Sequence, residues 1–167
     1  MIHFDPPKSI KSLADVEPGS LVRLGEQGQH LGFCMVSSGD PNLRRSVVTY
    51  DQQAHRFYYQ HLDSPTVVDY GNTIIVRPDA GSFSPELAAQ ADGTLYTLEG
   101  VAHLVVAVGN AIRFLNLSTG QLQSRQSWPM MGGYRSWIAG VRGLDGRFIE
   151  VLSITAAEQD SIEPDEV

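Results

Sequence analysis

The strongest constraint on the fold is the longest apolar run of the chain, Val101 to Val108, which only His103 interrupts. Gly109-Asn110 follows directly, and a second β-prone run occupies residues 111–117. Two such runs joined by two residues that tolerate positive φ predict a tight β-hairpin. Because both side-chain parities of the first run are apolar, we expect its strand to be covered on both faces. That places it at the centre of the core.

Other β-prone runs are paired across Gly, Pro, Asn or Asp residues, which are typical of turns: 20–24 with 30–37, 66–70 with 73–77 around Gly71-Asn72, and 136–142 with 147–155. The runs 46–51 and 56–62 form a further hairpin candidate across Gln52-Gln53-Ala54-His55. A single short helix is predicted near 84–91, with Ser84 as its N-cap and Pro85 at its first position. The chain is therefore predicted to be all-β, with antiparallel hairpins forming a β-sandwich or a partly open barrel.

Residues 20–155 are predicted to form a single β domain, which is long enough to bury its own hydrophobic core. Pro6-Pro7 disfavours regular structure, so residues 1–19 are predicted to be an irregular lead-in. Residues 20–37 follow Pro18-Gly19 and contain a β-run, a Gly-rich turn and a second β-run. Many small SH3-like barrels open in this order, and so do many unrelated hairpins.

The net charge of -7 is concentrated at the C-terminus. The last ten residues contain five acids and no base, which leaves fourteen acids against twelve bases in the rest of the chain. Residues 156–167 are therefore predicted to be a disordered acidic tail that favours solubility, or alternatively a docking segment for a basic partner. The body shows no excess of positive charge, so nucleic acid is not an expected partner.

The residues also indicate a compartment. Cys34 is the only cysteine, which excludes an intrachain disulfide and suits a reducing environment. The first residues lack a basic segment followed by an apolar one, and no window approaches the ~20 apolar residues of a membrane-spanning helix. We therefore expect a cytoplasmic protein without membrane insertion.

The sequence contains no local signature of catalysis, of a cofactor or of a metal site. His30 and Cys34 would lie about 13 Å apart on a strand, and His55 and His61 about 20 Å apart, so neither pair can share an ion. Cys34 lies in an apolar run, where a buried thiol is unreactive. His103 is predicted to be a histidine at the edge of the core, bonded to backbone. No cofactor and no catalytic residue is predicted.

The segment 127–137 holds the clearest candidate binding residues. Trp, Tyr and Arg dominate interface hot spots, and Met adapts to irregular apolar partners. The candidates are Trp128, Met130, Met131, Tyr134, Arg135 and Trp137. The alternative interpretation is structural, with the two tryptophans filling the ends of a barrel or sandwich.

A second group of candidates lies on the arm 55–62, where aromatic and polar side chains occupy both faces. These secondary binding candidates are His55, Tyr58, Tyr59 and His61. Such a pattern is typical of a ligand-binding surface or a recognition strand. An amphipathic edge strand without a partner accounts for the same pattern.

These features favour a non-catalytic protein-interaction or assembly module that binds a protein partner through residues 127–137. The alternative is a β-barrel that binds a small molecule, in a cavity lined by Tyr58, Tyr59, Trp128 and Trp137. A third hypothesis is an enzyme with a dispersed site that uses His55 or His61 as acid or base.

Overall fold

The computed structural model describes residues 8–25, 30–34, 45–51, 56–63, 65–85, 92–124 and 132–155. Within these ranges the chain forms fifteen strands and two short 3-10 turns, at Leu13–Asp15 and Ala80–Ser82. All strand pairs are antiparallel, and the strands form three sheets, none of which closes into a barrel among the described residues. The predicted all-β architecture of antiparallel hairpins is confirmed.

The first sheet contains six strands. They are β1 (Ser9–Ser12), β2 (Leu21–Leu24), β3 (His30–Cys34), β4 (Arg45–Asp51), β5 (Arg56–Leu62) and β6 (Thr66–Asp69). Their order across the sheet is β1-β6-β2-β3-β4-β5. The predicted pairings of β2 with β3 and of β4 with β5 are both present.

Strand β1 lies within the segment that we expected to be an irregular lead-in. It pairs with β6 at the edge of the first sheet, from Ser9↔Asp69 to Ser12↔Thr66. The Lys11 ammonium donates to Asp69 Oδ2 at 2.8 Å. Local propensity in this segment is weak, so the strand depends on its tertiary neighbour, which sequence periodicity does not reveal.

The second sheet also has six strands, in the order β12-β11-β10-β9-β13-β8. They are β8 (Phe83–Ser84), β9 (Leu95–Leu98), β10 (Val101–Val108), β11 (Ala111–Asn116), β12 (Leu122–Ser124) and β13 (Gly133–Tyr134). The predicted hairpin joins β10 to β11, with Val108 opposite Ala111. Gly109 has a φ of 58° and Asn110 does not have a positive φ, which is the pattern of a type II′ turn.

Both faces of β10 are covered, as predicted. Leu104 and Val106 belong to the main core, whereas Val105 packs with Tyr96 and Phe114 on the opposite face of the sheet. His103 is 3% exposed, and its Nδ1 lies 3.1 Å from the carbonyl oxygen of Val101. The prediction of a backbone-bonded histidine at this position is confirmed.

The third sheet consists of β7 (Ile75–Pro78), β14 (Trp137–Arg142) and β15 (Phe148–Ile154), in the order β15-β14-β7. Strands β14 and β15 form the predicted hairpin, with a register shift between Ala139 and Gly140. The predicted hairpin around Gly71-Asn72 is wrong, because β6 pairs with β1 and β2 whereas β7 pairs with β14. Gly71, with a φ of 85°, does allow a turn, but the chain crosses there from one sheet to another.

The main core lies where the three sheets meet. The first sheet contributes Leu21, Phe33, Val48, Tyr50 and Phe57; the second Leu95, Leu104, Val106 and Leu115; and the third Trp137, Ala139, Val141, Leu152 and Ile154. A smaller cluster on the other face of the first sheet contains Cys34, which is fully buried as predicted.

The predicted helix and tail fall largely outside the described residues. Ser84, the predicted N-cap, is the second residue of β8. Residues 86–91 and 156–167 lie beyond the described ranges.

Candidate functional site

The structure describes six of the ten residues predicted to bind a partner. They are Tyr134, Arg135, Trp137, Tyr58, Tyr59 and His61. The other four, Trp128, Met130, Met131 and His55, lie outside the described residues.

Trp137 belongs to the interior. It is 1% exposed, and its Nε1 donates to the carbonyl oxygen of Gly93 at 2.8 Å. Its ring stacks on Phe57, with centroids 6.2 Å apart and an interplanar angle of 15°. Trp137 of the third sheet thus contacts Phe57 of the first sheet and the backbone of Gly93. The N–H of Gly93 in turn donates to the Val105 carbonyl of the second sheet at 2.9 Å. This placement matches the structural interpretation of Trp137 and leaves no ring surface for a partner.

Tyr134 contributes to an aromatic surface with a residue that the sequence did not single out. Strands β13 and β8 pair Tyr134 with Phe83, and the two ring centroids lie 5.3 Å apart. Phe83 is 48% exposed, a large fraction for a phenylalanine, while Tyr134 is partly buried. We call these two rings the Phe83–Tyr134 surface.

Close packing fixes the ring of Phe83 over Gly132. A Cβ added to Gly132 would collide with the Cζ of Phe83 and would lie 2.6 Å from the carbonyl oxygen of Ser84. Only glycine therefore allows the two segments to approach this closely. The ring of Phe83 therefore lies against the backbone of Gly132, next to β13.

Hydrogen bonds anchor the same two segments beside the surface. The backbone N–H of Ser136 donates to Ser82 Oγ at 2.9 Å, and the N–H of Arg135 donates to the Ser82 carbonyl at 3.2 Å. The N–H of Asp79 donates to the Ser136 carbonyl at 2.9 Å. These contacts join the chain before Phe83 to the chain after Tyr134, so the surface is organised before any partner binds.

Phe83 was not predicted to bind a partner, because the Ser84-Pro85 that follows it is typical of a helix start. The sequence does contain one signal of an exposed ring: Phe83 is flanked by Gly, Ser and Pro, and its segment has no periodic apolar residues that would form a buried face. Such a ring has few neighbours of its own and depends on a strand from elsewhere in the chain.

The two faces of β5 differ more than the sequence suggested. Phe57 is 3% exposed and belongs to the main core, so the face it shares with Tyr59 and His61 is a core face at that end. Tyr58 lies on the opposite face and is 43% exposed. The secondary candidates Tyr58 and Tyr59 therefore do not line one common surface.

Tyr59 and His61 do come together, with Ser46 on the neighbouring strand. Ser46 Oγ lies 2.9 Å from His61 Nδ1 and 3.2 Å from the Tyr59 hydroxyl, which is 3.2 Å from His61 Nε2. The in-plane directions of the two imidazole nitrogens diverge, so two hydroxyls this close together cannot both align with them. The cluster is a compact polar contact and not an aligned nucleophile–base–orienter series. Ser46 is also 3% exposed, which removes it from any substrate.

Asp92 is a half-buried carboxylate that accepts hydrogen bonds from the backbone of two sheets. Its Oδ2 accepts from the Phe57 N–H at 2.8 Å, and its Oδ1 accepts from the Ala107 N–H at 3.3 Å. Burial raises the pKa of Asp92, and the two backbone N–H groups oppose that rise. The carboxylate links β5 of the first sheet to β10 of the second, which is a structural role. Burial has the opposite effect on His103, whose pKa it lowers because the charged form of histidine is the protonated one.

A cavity of about 180 Å³ lies between β7 and the hairpin of β9 and β10. Tyr58, Tyr59 and Trp137 do not line it, so it is not the cavity that the sequence predicted. The described residues contain no cluster of three or more His, Cys, Asp or Glu side chains that could hold a metal ion. They also contain no helix long and apolar enough to cross a membrane.

Comparison with protein-family models, with curated proteins and with solved structures finds no match for this chain. Its function must therefore be inferred from its own surfaces and cavities.

Proposed function

We propose that this chain is a non-catalytic protein-interaction module that contacts its partner through the Phe83–Tyr134 surface. The observation that supports this most directly is the 48% exposure of Phe83, on a strand pair that packing and hydrogen bonds hold in place. Aromatic side chains are enriched at protein interfaces, where they supply a large share of the binding free energy.

The rigidity of the surface strengthens the proposal. Association costs about 0.5–1.5 kcal/mol for each flexible side chain that becomes ordered. The ring of Phe83 already packs against Tyr134 at 5.3 Å, so little further ordering is required. When a partner with a complementary apolar groove binds, most of the free energy gained by burying the ring would therefore contribute to affinity, because little of it is lost in ordering the side chain.

The remaining predicted contact residues are neighbours of this surface in the chain. Trp128, Met130 and Met131 precede Gly132, and Arg135 follows Tyr134. We include them in the proposed contact region. The proposed setting is the cytoplasm, because a chain with one cysteine, the buried Cys34, has no intrachain disulfide, which suits a reducing environment.

Site-specific photo-crosslinking tests this proposal. A photoreactive phenylalanine analogue at position 83 should form a discrete adduct with a partner protein in native lysate. The matched control carries the same analogue at position 144, because Leu144 is 83% exposed and lies in the turn between β14 and β15. Equal adducts at both positions, or none at position 83, would contradict the proposal.

The purified partner then allows a quantitative test. Phe83→Ala should weaken binding about 30-fold, since truncating a hot-spot residue costs about 2 kcal/mol and every 1.4 kcal/mol is tenfold. Ile10→Ala is the control, because Ile10 is exposed on the edge strand of the first sheet. Isothermal titration calorimetry measures both, and an unchanged affinity for Phe83→Ala would exclude this surface from the interface.

A further inference from the structure

The third sheet has a second face, which points away from the main core. Along β14 the odd-numbered residues from Trp137 to Val141 belong to that core. Because side chains alternate between the two faces of a strand, the even-numbered residues point the other way. Their cross-strand partners on β7 and β15 share that direction. The resulting outer face of the third sheet consists of Ile75, Arg77, Ile138, Arg142 and Phe148, with Glu150 and Ser153 along its β15 edge.

Three side chains of this outer face are apolar and partly exposed. Ile75, Ile138 and Phe148 do not belong to any of the core clusters that the described residues form. Phe148 lies over Gly140 of the middle strand, since a Cβ added to that glycine would come within 2.8 Å of the ring. The ring is therefore held close to the backbone of β14, and the face offers a small apolar area.

The two arginines of the outer face are exposed, and neither forms an ion pair with a described carboxylate. The guanidinium carbon of Arg77 lies 4.0 Å from the centroid of the Phe148 ring. Arg142 Nη1 donates to the carbonyl oxygen of Gly146 at 3.5 Å. A guanidinium has five N–H donors, so most donors of both groups remain available. With Glu150 at the edge, the face carries two positive charges and one negative charge.

Residues 158–166 have the complementary charge. Five of these nine residues are acidic and none is basic: Glu158, Asp160, Glu163, Asp165 and Glu166. Carboxylates accept paired, charge-assisted hydrogen bonds from guanidinium groups. Ile162 stands among these acids in the sequence, so the segment also offers an apolar side chain to the partly exposed Ile75 and Ile138.

The acidic segment begins within reach of the face. Ser153, near the end of β15, is opposite Ile138, which is opposite Arg77. Neighbouring strands lie about 4.8 Å apart, so about 10 Å separates the Cα atoms of Ser153 and Arg77. An extended chain covers about 3.3 Å per residue, so Glu158 can lie about 16 Å from Ser153. Because the segment is tethered to the sheet, its effective concentration at the face is on the order of millimolar.

We infer that residues 158–166 dock on the outer face of the third sheet, with their carboxylates on Arg77 and Arg142. The docked segment occupies the surface that would otherwise attract an acidic partner from outside the chain. It therefore acts as an internal competitor for that surface. The outer face shares no residue with the Phe83–Tyr134 surface, so this inference is independent of the proposed protein contact.

Paramagnetic relaxation enhancement in the full chain tests the inference. A nitroxide attached through Ser161→Cys keeps every charge of the segment, and Cys34 is too buried to take the label. At low salt the label should broaden the amide signals of Arg77, Ile138 and Phe148, and not that of Tyr58 on the first sheet. In about 1 M salt the Debye length is about 3 Å, so the broadening should be lost. Broadening confined to the residues next to 155, or unaffected by salt, would overturn the inference.

Substitutions of single arginines identify the contacts of the segment. Arg77→Gln and Arg142→Gln should each reduce the broadening at low salt about twofold, because an exposed ion pair contributes little on its own. Arg77→Lys keeps the charge and should retain the broadening. Arg56→Gln is the matched control, because it removes the same charge from an exposed position of the first sheet. Equal losses in Arg77→Gln and Arg56→Gln would refute the assignment.

A variant of the segment itself covers the case in which an arginine substitution disturbs the third sheet. It replaces all five acids by their amides and changes no residue of the three sheets. The broadening at low salt should then be abolished, because the docked segment has lost its charge. Unchanged broadening in this variant would refute docking through the carboxylates.

Discussion

Replacing Trp137 by phenylalanine tests whether this residue holds the three sheets together. The substitution keeps an aromatic ring in contact with Phe57 and removes the indole N–H together with part of the ring. Trp137 is 1% exposed and donates to the Gly93 carbonyl at 2.8 Å. The variant therefore loses one buried hydrogen bond and part of the buried apolar surface.

The two losses can be estimated separately. Leaving a buried carbonyl without its donor costs about 1–3 kcal/mol. Removing about two carbon atoms from a packed core costs about 1.5 kcal/mol, at ~0.8 kcal/mol per buried carbon. We expect the free energy of unfolding to fall by about 3 kcal/mol. Trp137→Ala should cost somewhat more, because large-to-small substitutions of buried aromatic residues cost about 3–5 kcal/mol.

Urea unfolding followed by far-ultraviolet circular dichroism measures this change without depending on tryptophan fluorescence. Tyr58→Phe is the matched control. Tyr58 is 43% exposed, so its loss of a polar atom should change stability by less than about 0.5 kcal/mol. A similarly small effect for Trp137→Phe would refute the structural role of Trp137. Loss of partner binding without loss of stability would restore it as a contact residue.

Three further substitutions test other parts of the fold. Gly140→Ala should destabilise the β14–β15 hairpin by about 1–3 kcal/mol, since its Cβ would collide with the Ile149 carbonyl; denaturant unfolding measures the loss, and an unchanged midpoint would contradict it. Gly120→Ala should cost at least about 1 kcal/mol, because its φ is 70° and a Cβ would lie 2.7 Å from the Cys34 carbonyl; thermal unfolding should show a lower Tm. Burial raises the pKa of Asp92 above 3.8, so the folded chain retains a proton at pH values where the unfolded chain has released it. The contribution of Asp92 to stability should therefore decrease as the pH rises from 3.8 through the higher pKa of the folded chain. Asp92→Asn should remove that dependence, and identical pH profiles for the two proteins would refute the assignment.

The elements that could be predicted are those encoded by neighbouring residues. The β10–β11 hairpin follows from an apolar run, a Gly-Asn turn and a second β-prone run, and all three signals are local. The β14–β15 hairpin follows in the same way, from two β-prone runs around Asp145-Gly146, and the β4–β5 hairpin follows from its two β-prone runs alone. Burial of Cys34 and His103 was predictable, because each lies within an apolar run.

The candidate site was less predictable, because exposure depends on distant parts of the chain. Tyr134 and Trp137 are large aromatic residues only three positions apart, yet Tyr134 contributes to a surface and Trp137 fills the core. Phe83 was not among the predicted binding residues, although it is 48% exposed. No local pattern distinguishes these cases, because each ring is covered or left open by strands from elsewhere.

The amino-acid sequence specifies most of the longer strands and several of their turns, because alternation of side chains and the φ preferences of glycine act over a few residues. It does not specify the short strands β1, β8 and β13, which depend on pairing with distant segments. It does not specify which sheet a strand joins, as the Gly71-Asn72 turn demonstrates: its two flanking strands pair in different sheets. Sheet membership, the stacking of Trp137 on Phe57, and the opening between β7 and β10 all depend on which edges and faces meet. Those contacts join residues far apart in the chain, and their free energy comes from burying apolar surface that any of several partners could cover.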